Sequence, residues 1–220
     1  SASAGENEIF GNDIIIHQAD KGTRAEAYAF YIGNADGGSI HDNRIVTNVT
    51  PFWIGNAYGD ARNTVISGNQ VEFSGEADRS FPVIKMGPNY TASGIELRSD
   101  VFPLNAAYVE ASGKPHSYKV SRTLGVKVTG KKGEPVANAE VIIKDKNGTE
   151  VTRTATDKNG YLKIELPEYS AEGTGKTYYS KYTIIAGRKR MEVVLDRNKV
   201  VGLGWGEVDR YKPAQRKGVE

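Results

Sequence analysis

Carboxylates are the side chains of this sequence whose type and spacing could do chemistry. Asp20, Glu26, Asp60, Glu72, Glu76, Asp78 and Glu96 recur through the first hundred residues. Two carboxyls facing across a groove cleave glycosidic bonds, one as the acid and the other as base or nucleophile. The same residues on a solvated sheet face are ordinary surface charge, and that is the first expectation for each. Lys21, Arg24, Arg62, Arg79, Lys85 and Arg98 could serve instead as base or charge-neutralising groups of a polysaccharide lyase. Aromatic side chains offer a milder chemistry. Tyr28, Tyr31, Trp53 and Tyr58 lie on neighbouring segments, and aromatic faces stack on sugar rings. The candidate carbohydrate-binding set is Tyr31, Trp53, Tyr58, Arg62 and Lys85, with no catalytic residue assigned. Phe52 and Trp53 are consecutive, so on a strand they face opposite ways. With Phe52 inside, Trp53 lies outside, either against a ligand or as cover for a sheet edge.

Other chemistries find little purchase. The three histidines, His17, His41 and His116, are far apart and form no zinc pattern. There is no cysteine, hence no disulfide framework and no thiol nucleophile. Neither a G-x-S-x-G elbow nor a phosphate-binding glycine loop is present. No cofactor is expected; calcium could bridge a polyanion, but no run of aspartates marks a site. No apolar run approaches the roughly 18 residues of a membrane-spanning helix. Nucleic acid is not an expected partner, because acidic residues are interspersed among the basic ones. The opening Ser1-Ala2-Ser3-Ala4-Gly5 reads as the cut edge of a longer protein or the start of a mature chain.

Two phrases position these residues. One is Tyr31-Ile32-Gly33-Asn34, then Trp53-Ile54-Gly55-Asn56, then Lys85-Met86-Gly87-Pro88-Asn89. The other is Ile9-x-x-Asn12-x-Ile14, then Ile40-x-x-Asn43-x-Ile45, then Ile66-x-x-Asn69-x-Val71, with a degraded fourth copy at Leu97-x-x-Asp100. Interleaved phrases of this kind mean stacked copies of one unit. Helical periodicity is poor and the apolar segments are short, so the units are expected to be strands. Asn tolerates left-handed turns, and Asn12, Asn43 and Asn69 could stack as a hydrogen-bonded ladder. Gly33, Gly55 and Gly87 are expected at tight corners.

On these phrases residues 5–112 resemble the right-handed parallel β-helix superfamily, which includes polysaccharide lyases, polygalacturonase-like hydrolases, tailspikes and non-catalytic surface proteins. Beyond residue 125 the text changes. Gly133-Glu134-Pro135-Val136-Ala137-Asn138-Ala139-Glu140-Val141 and Thr156-Asp157-Lys158-Asn159-Gly160-Tyr161 resemble the carboxypeptidase-regulatory, transthyretin-like family over about residues 122–196. That family implies a non-catalytic accessory sandwich on a secreted or surface protein. A related group forms Lys–Asn isopeptide crosslinks, and Lys127 and Asn198 with Glu165 invite that comparison.

Charge divides the chain at the same place. Residues 1–113 hold seven Lys/Arg against fourteen Asp/Glu, a net of −7; residues 114–220 hold twenty-two against thirteen, a net of +9. An acidic first half disfavours polyanionic substrates. The expected organisation is all-β: parallel β-helix rungs over 1–113, a linker at 114–121, a seven-stranded β-sandwich over 122–204 and a polar tail over 205–220. The leading function is part of an extracellular or cell-surface protein that binds or processes carbohydrate. Its partner would be a polysaccharide or cell-surface glycan. Whether it is an enzyme stays open; if so, it is a lyase or glycoside hydrolase with most of its active site outside this chain. The alternative is a non-enzymatic surface, adhesive or filament-forming protein, joined through acid-to-base contacts between copies or to an upstream β-helix segment.

Overall fold

The computed structural model describes residues 7–18, 27–74, 81–103 and 107–204. All regular structure among them is β; none of it is helical. The chain forms two compact units, Ser1–Arg122 with Pro167–Tyr178, and Thr123–Leu166 with Tyr179–Glu220.

In the first unit short strands pair in parallel with their counterparts one copy away. β1 (Glu8–Phe10), β5 (Ser39–His41), β9 (Val65–Ser67) and β13 (Ile95–Arg98) form one series, continued by the first residues of β15 (Ser117–Thr129). β2 (Asp13–Ile16), β6 (Arg44–Thr47) and β10 (Gln70–Phe73) form a second. β3 (Phe30–Ile32), β7 (Phe52–Ile54), β11 (Ile84–Met86) and β14 (Val109–Ala111) form a third. The two-residue β4 (Ala35–Asp36), β8 (Ala61–Arg62) and β12 (Ala92–Ser93) form a fourth.

Register puts like on like. Ile9, Ile40, Ile66, Leu97 and Val120 make one row, Phe30, Phe52, Ile84 and Val109 another, and Ala35, Ala61 and Ala92 a third. Phe30 and Phe52 stack at 5.1 Å between centroids. Ile45, Phe52, Ile54, Ile66, Ile84 and Leu97 are wholly buried. Each such side chain stabilises the unit by about 1.5–3 kcal/mol relative to exposure.

The corner between the first and second series holds a ladder. Asn43 Oδ1 accepts from both the backbone N–H and the Nδ2 of Asn12, at 3.1 and 2.9 Å. Asn69 Oδ1 does the same for Asn43, at 3.1 and 3.0 Å, and Asp100 Oδ1 for Asn69, at 2.8 and 3.0 Å. The left-handed residue is not the asparagine, as its turn propensity suggests, but the one before it: Gly11, Asp42, Gly68 and Ser99 have φ of 66°, 52°, 65° and 56°. The glycine corner has a different cause. A Cβ on Gly33, Gly55 or Gly87 would stand 2.2, 2.7 or 2.1 Å from a carbonyl oxygen of a later segment (Ala57, Tyr90 and Ser112), so the close backbone approach admits no side chain.

The ladder ends in a buried polar cluster. Tyr108 donates its hydroxyl to Asp100 Oδ2 at 2.7 Å. The Arg122 guanidinium lies over the Tyr108 ring at 4.4 Å and donates through Nε to Glu168 at 2.7 Å. Glu168 belongs to the part of β18 (Tyr161–Glu172) that joins this unit, where β18 pairs antiparallel with β19 (Gly175–Tyr178).

The second unit has an antiparallel sheet in the order β17 (Glu150–Ala155), β16 (Glu140–Lys144), β20 (Tyr182–Ala186), β21 (Lys189–Val193). β22 (Lys199–Gly204) pairs in parallel with β15. Leu124, Val126 and Val128 of β15, Val141 and Ile143 of β16, Ile184 of β20 and Leu203 of β22 share one apolar core. The Asn-Gly turns close on aspartates. Asp145 Oδ1 accepts from the N–H of Asn147 and Thr149, and Asp157 Oδ1 from those of Asn159 and Tyr161.

The interval expected as a linker at 114–121 is structured instead. Ser117 to Ser121 already belong to β15, and Tyr118 to Ser121 pair with Ile95 to Arg98. A Gly-Lys-Pro break reads as flexible from sequence, but the chain resumes pairing within two residues of Pro115. The tail at 205–220 lies outside the described residues.

Burial pushes the Asp100 carboxyl up to about 6, against the opposing hydrogen bonds from Tyr108 and Asn69. The folded state therefore holds this proton more tightly than the unfolded state, whose carboxyl titrates near 3.8. Its contribution is greatest below about pH 4 and is lost as pH rises to about 6, by roughly 3 kcal/mol at 1.4 kcal/mol per unit. Asp100→Asn keeps the acceptor for Asn69 and gains a donor for Tyr108. It is expected to match or exceed the native stability at pH 7.5 in urea unfolding, and to lose that advantage at pH 4. Asp100→Ala strands the Asn69 and Tyr108 donors and is expected to cost about 2–4 kcal/mol at either pH.

Candidate functional site

The outward face of the third series gathers three of the five residues singled out for sugar contact. Tyr31, Trp53 and Lys85 are exact register partners on β3, β7 and β11, and Glu110 of β14 continues the row. The alternation on β7 puts Phe52 in the core and Trp53 on the opposite face. The row exists because β3, β7 and β11 each run into a glycine corner in the same register, which stacks the middle residue of every three-residue strand.

Trp53 is nevertheless only 7% exposed. Tyr28 presents its edge to the indole at 4.8 Å, and the Lys85 ammonium lies 4.2 Å from the ring centroid. The indole N–H donates to the Gly87 carbonyl at 2.6 Å. Both the ring and its polar handle are therefore engaged within the chain. Tyr31 contacts Tyr28 at 5.6 Å and Tyr58 at 5.9 Å. Among the described residues its shielded hydroxyl has no well-formed hydrogen bond, and burial pushes it above the usual tyrosine range. Tyr58 is 81% exposed, on a left-handed turn with φ of 65°. Arg62 is not part of the row. It sits on β8 in the fourth series and pairs with Asp60 at 3.3 Å.

The candidate carboxylates that are described are held by arginines. Arg44 bridges Asp13 and Glu72 at 3.3 and 3.0 Å, and Arg98 pairs with Glu96. Asp20, Glu26, Glu76, Asp78, Lys21, Arg24 and Arg79 lie outside the described residues. Among the described residues no group of three His, Cys, Asp or Glu is placed to hold a metal. His41 bonds through Nδ1 to Asp42 and through Nε2 to Glu8, both at 2.8 Å, and these two carboxylates raise its pKa above 6.5. His116 is buried, with Nδ1 accepting from the Ala92 N–H and Nε2 donating to the Ser112 carbonyl, both at 3.0 Å.

The isopeptide comparison fails on placement. Lys127 is exposed and in register with Gly202, whereas the Asn198 amide oxygen accepts from the Thr123 N–H at 2.9 Å. Thr123 and Lys127 are four residues apart on one strand, about 13 Å. Glu165 is exposed as well, so no buried reacting triad forms.

Sequence reasoning missed the polar cluster of Tyr108, Arg122 and Glu168. Arg122 and Glu168 are 46 residues apart, and no local pattern announces such a pair. The one available signal was the replacement of Asn by Asp at position 100 of the ladder phrase.

No family model matches the chain, and no curated protein matches it. Solved structures with limited similarity to the chain include two. One is the major pilin subunit BcpA of Bacillus cereus, 19% identical over 39% of this chain and 28% of that one, with a TM-score of 0.31. The other is the Bacillus anthracis TIE protein, 17% identical over 47% of this chain and 19% of that one, with a TM-score of 0.32. The chain thus spans less than a third of either. The expected membership of the parallel β-helix superfamily and of the transthyretin-like family is corrected: no family model recovers either. Parallel pairing of the first unit's series also gives way to antiparallel pairing at β18 and β19 and throughout the sheet of β16, β17, β20 and β21.

Proposed function

We propose that this chain is a non-enzymatic structural module of a protein displayed outside the cell or on its surface. The observation that carries the reading is the use made of the repeated residues. Asn12, Asn43, Asn69 and Asp100 join in one hydrogen-bonded ladder, the apolar positions fill rows of a core, and Arg44 ties Asp13 and Glu72 of the neighbouring copies together. Of the described candidate carboxylates, Glu72 links copies through Arg44, while Asp60 and Glu96 pair with Arg62 and Arg98 of their own copy. The opposite net charges of the two halves, −7 and +9, support association between copies through acid-to-base contacts. Light scattering at roughly 20 mM salt is then expected to give a mass that rises with protein concentration and returns to the monomer at roughly 500 mM, where screening is short-ranged. A monomer at every concentration in low salt would sink the association.

A second reading, sugar contact along Tyr31, Trp53, Tyr58 and Lys85, is favoured by one observation, the 81% exposure of Tyr58. In that reading Tyr58→Ala abolishes retention on a glycan array while leaving stability within about 0.5 kcal/mol. Trp53→Ala, by contrast, is expected to destabilise the chain by about 3 kcal/mol, because Trp53 covers the sheet rather than a ligand. An array silent with the native chain removes the sugar reading.

A further inference from the structure

The phrase Asp-Lys-Asn-Gly stands twice in the second unit, once from Asp145 to Gly148 and again from Asp157 to Gly160. These hold the two Asn-Gly steps of the sequence. Both fold into the same turn. In each, the aspartate Oδ1 accepts from the asparagine N–H at 2.8 Å and from the N–H two residues further on at 2.9 Å. In each, the glycine N–H donates to the aspartate carbonyl at 3.0 Å. Gly148 and Gly160 are both left-handed, with φ of 84° and 68°. Asn147 and Asn159 are both exposed.

The two glycines have different surroundings. Gly148 is exposed, and a Cβ built on it would meet nothing within 4 Å. Gly160 is buried, and a Cβ there would stand 2.6 Å from the Val128 carbonyl oxygen and 2.8 Å from the Val136 nitrogen. The Gly160 carbonyl also accepts from the Val128 N–H at 2.8 Å. One turn is thus an open hairpin tip between β16 and β17, while its twin is fastened to β15.

We propose that Asn147 is a site of spontaneous covalent modification, deamidating with Gly148 through a succinimide, whereas the packing around Gly160 protects Asn159. Glycine suits the step because no Cβ shields the attacking nitrogen. The Gly148 nitrogen gives its proton to hydroxide and bonds to the side-chain carbonyl carbon of Asn147. The bond from that carbon to Nδ2 breaks, and the nitrogen takes a proton back from water and leaves as ammonia. Water then opens the ring at either carbonyl, which leaves isoaspartate or aspartate. The ring cannot form while the glycine N–H is held by the aspartate carbonyl, so the turn must open first. At Asn147 opening breaks only bonds within the turn. At Asn159 it also breaks the Val128 to Gly160 bond and the close packing around it. Each event replaces a neutral carboxamide by a carboxylate, so the net charge of residues 114–220 falls from +9 to +8. Isoaspartate adds one backbone atom at the hairpin tip, where Gly148 has room for it. The inference goes beyond the reading as a structural module and does not depend on it.

The twin turns provide the control within one molecule. The full chain is held in mildly alkaline buffer, folded in one arm and in concentrated urea in the other, and peptide mapping by mass spectrometry follows the amide-to-acid change at each asparagine. In urea the two are expected to convert within about two-fold of each other, because their local sequences match. In the folded chain Asn147 is expected to convert at least about ten-fold faster than Asn159. Equal rates in the folded chain overturn the proposal. So does an Asn147 that stays intact when folded over the time in which it converts in urea. A difference of the same size in urea also overturns it, because the fold would then not be its cause.

Discussion

One carboxamide oxygen taking two N–H donors, repeated along a buried corner, is the constraint on which the first unit depends. Each left-handed turn frees a backbone N–H that would otherwise be buried without a partner, at a cost of about 1–3 kcal/mol. The side chain of the next copy satisfies it and, with the same oxygen, takes the side-chain amide of the asparagine that follows the turn. Asn is the side chain that can do this at every internal position, because it must accept on one side and donate on the other. The register of β5 on β9 and of β6 on β10 follows directly, since the ladder fixes the corner between them.

Everything else in that unit is consistent with this register. The Ile and Ala rows fall into line because they stand at fixed offsets before each ladder residue, although the lengths between copies differ: 31, 26 and 31 residues; the row of Phe30, Phe52 and Ile84 stacks despite unequal offsets. The same alignment that buries Phe52 brings Tyr31, Trp53 and Lys85 together on the other face. Their proximity is thus a by-product of stacking, and Trp53 is closed off by the neighbours that stacking supplies.

Much of this was legible in the sequence. The Ile-x-x-Asn-x-Ile phrase located the β1, β5 and β9 strands and their ladder, and the fourth copy at Asp100 takes the predicted position. Of the Asn-Gly turn signals, Asn147-Gly148 joins the paired strands β16 and β17, whereas Asn159-Gly160 carries the chain from β17 to β18 in another sheet. The Tyr31, Trp53 and Lys85 row was legible as neighbours on adjacent strands, but Arg62 was not separable from them, because a corner moves it to another series. What failed was family assignment, since short motifs built from turn chemistry recur wherever turns of that type are needed. The Arg122–Glu168 pair was invisible, being a long-range consequence of β15 and β18 entering both units.

The two ends of the ladder are chemically unequal. Asparagine can be followed by another copy or preceded by one. The ionised Asp100 has no hydrogen to offer, and its second oxygen is already committed to Tyr108. Gene duplication would therefore lengthen the series in one direction without penalty and in the other only after position 100 had mutated. The carboxylate works as punctuation: it tells an evolving sequence where the repetition stops.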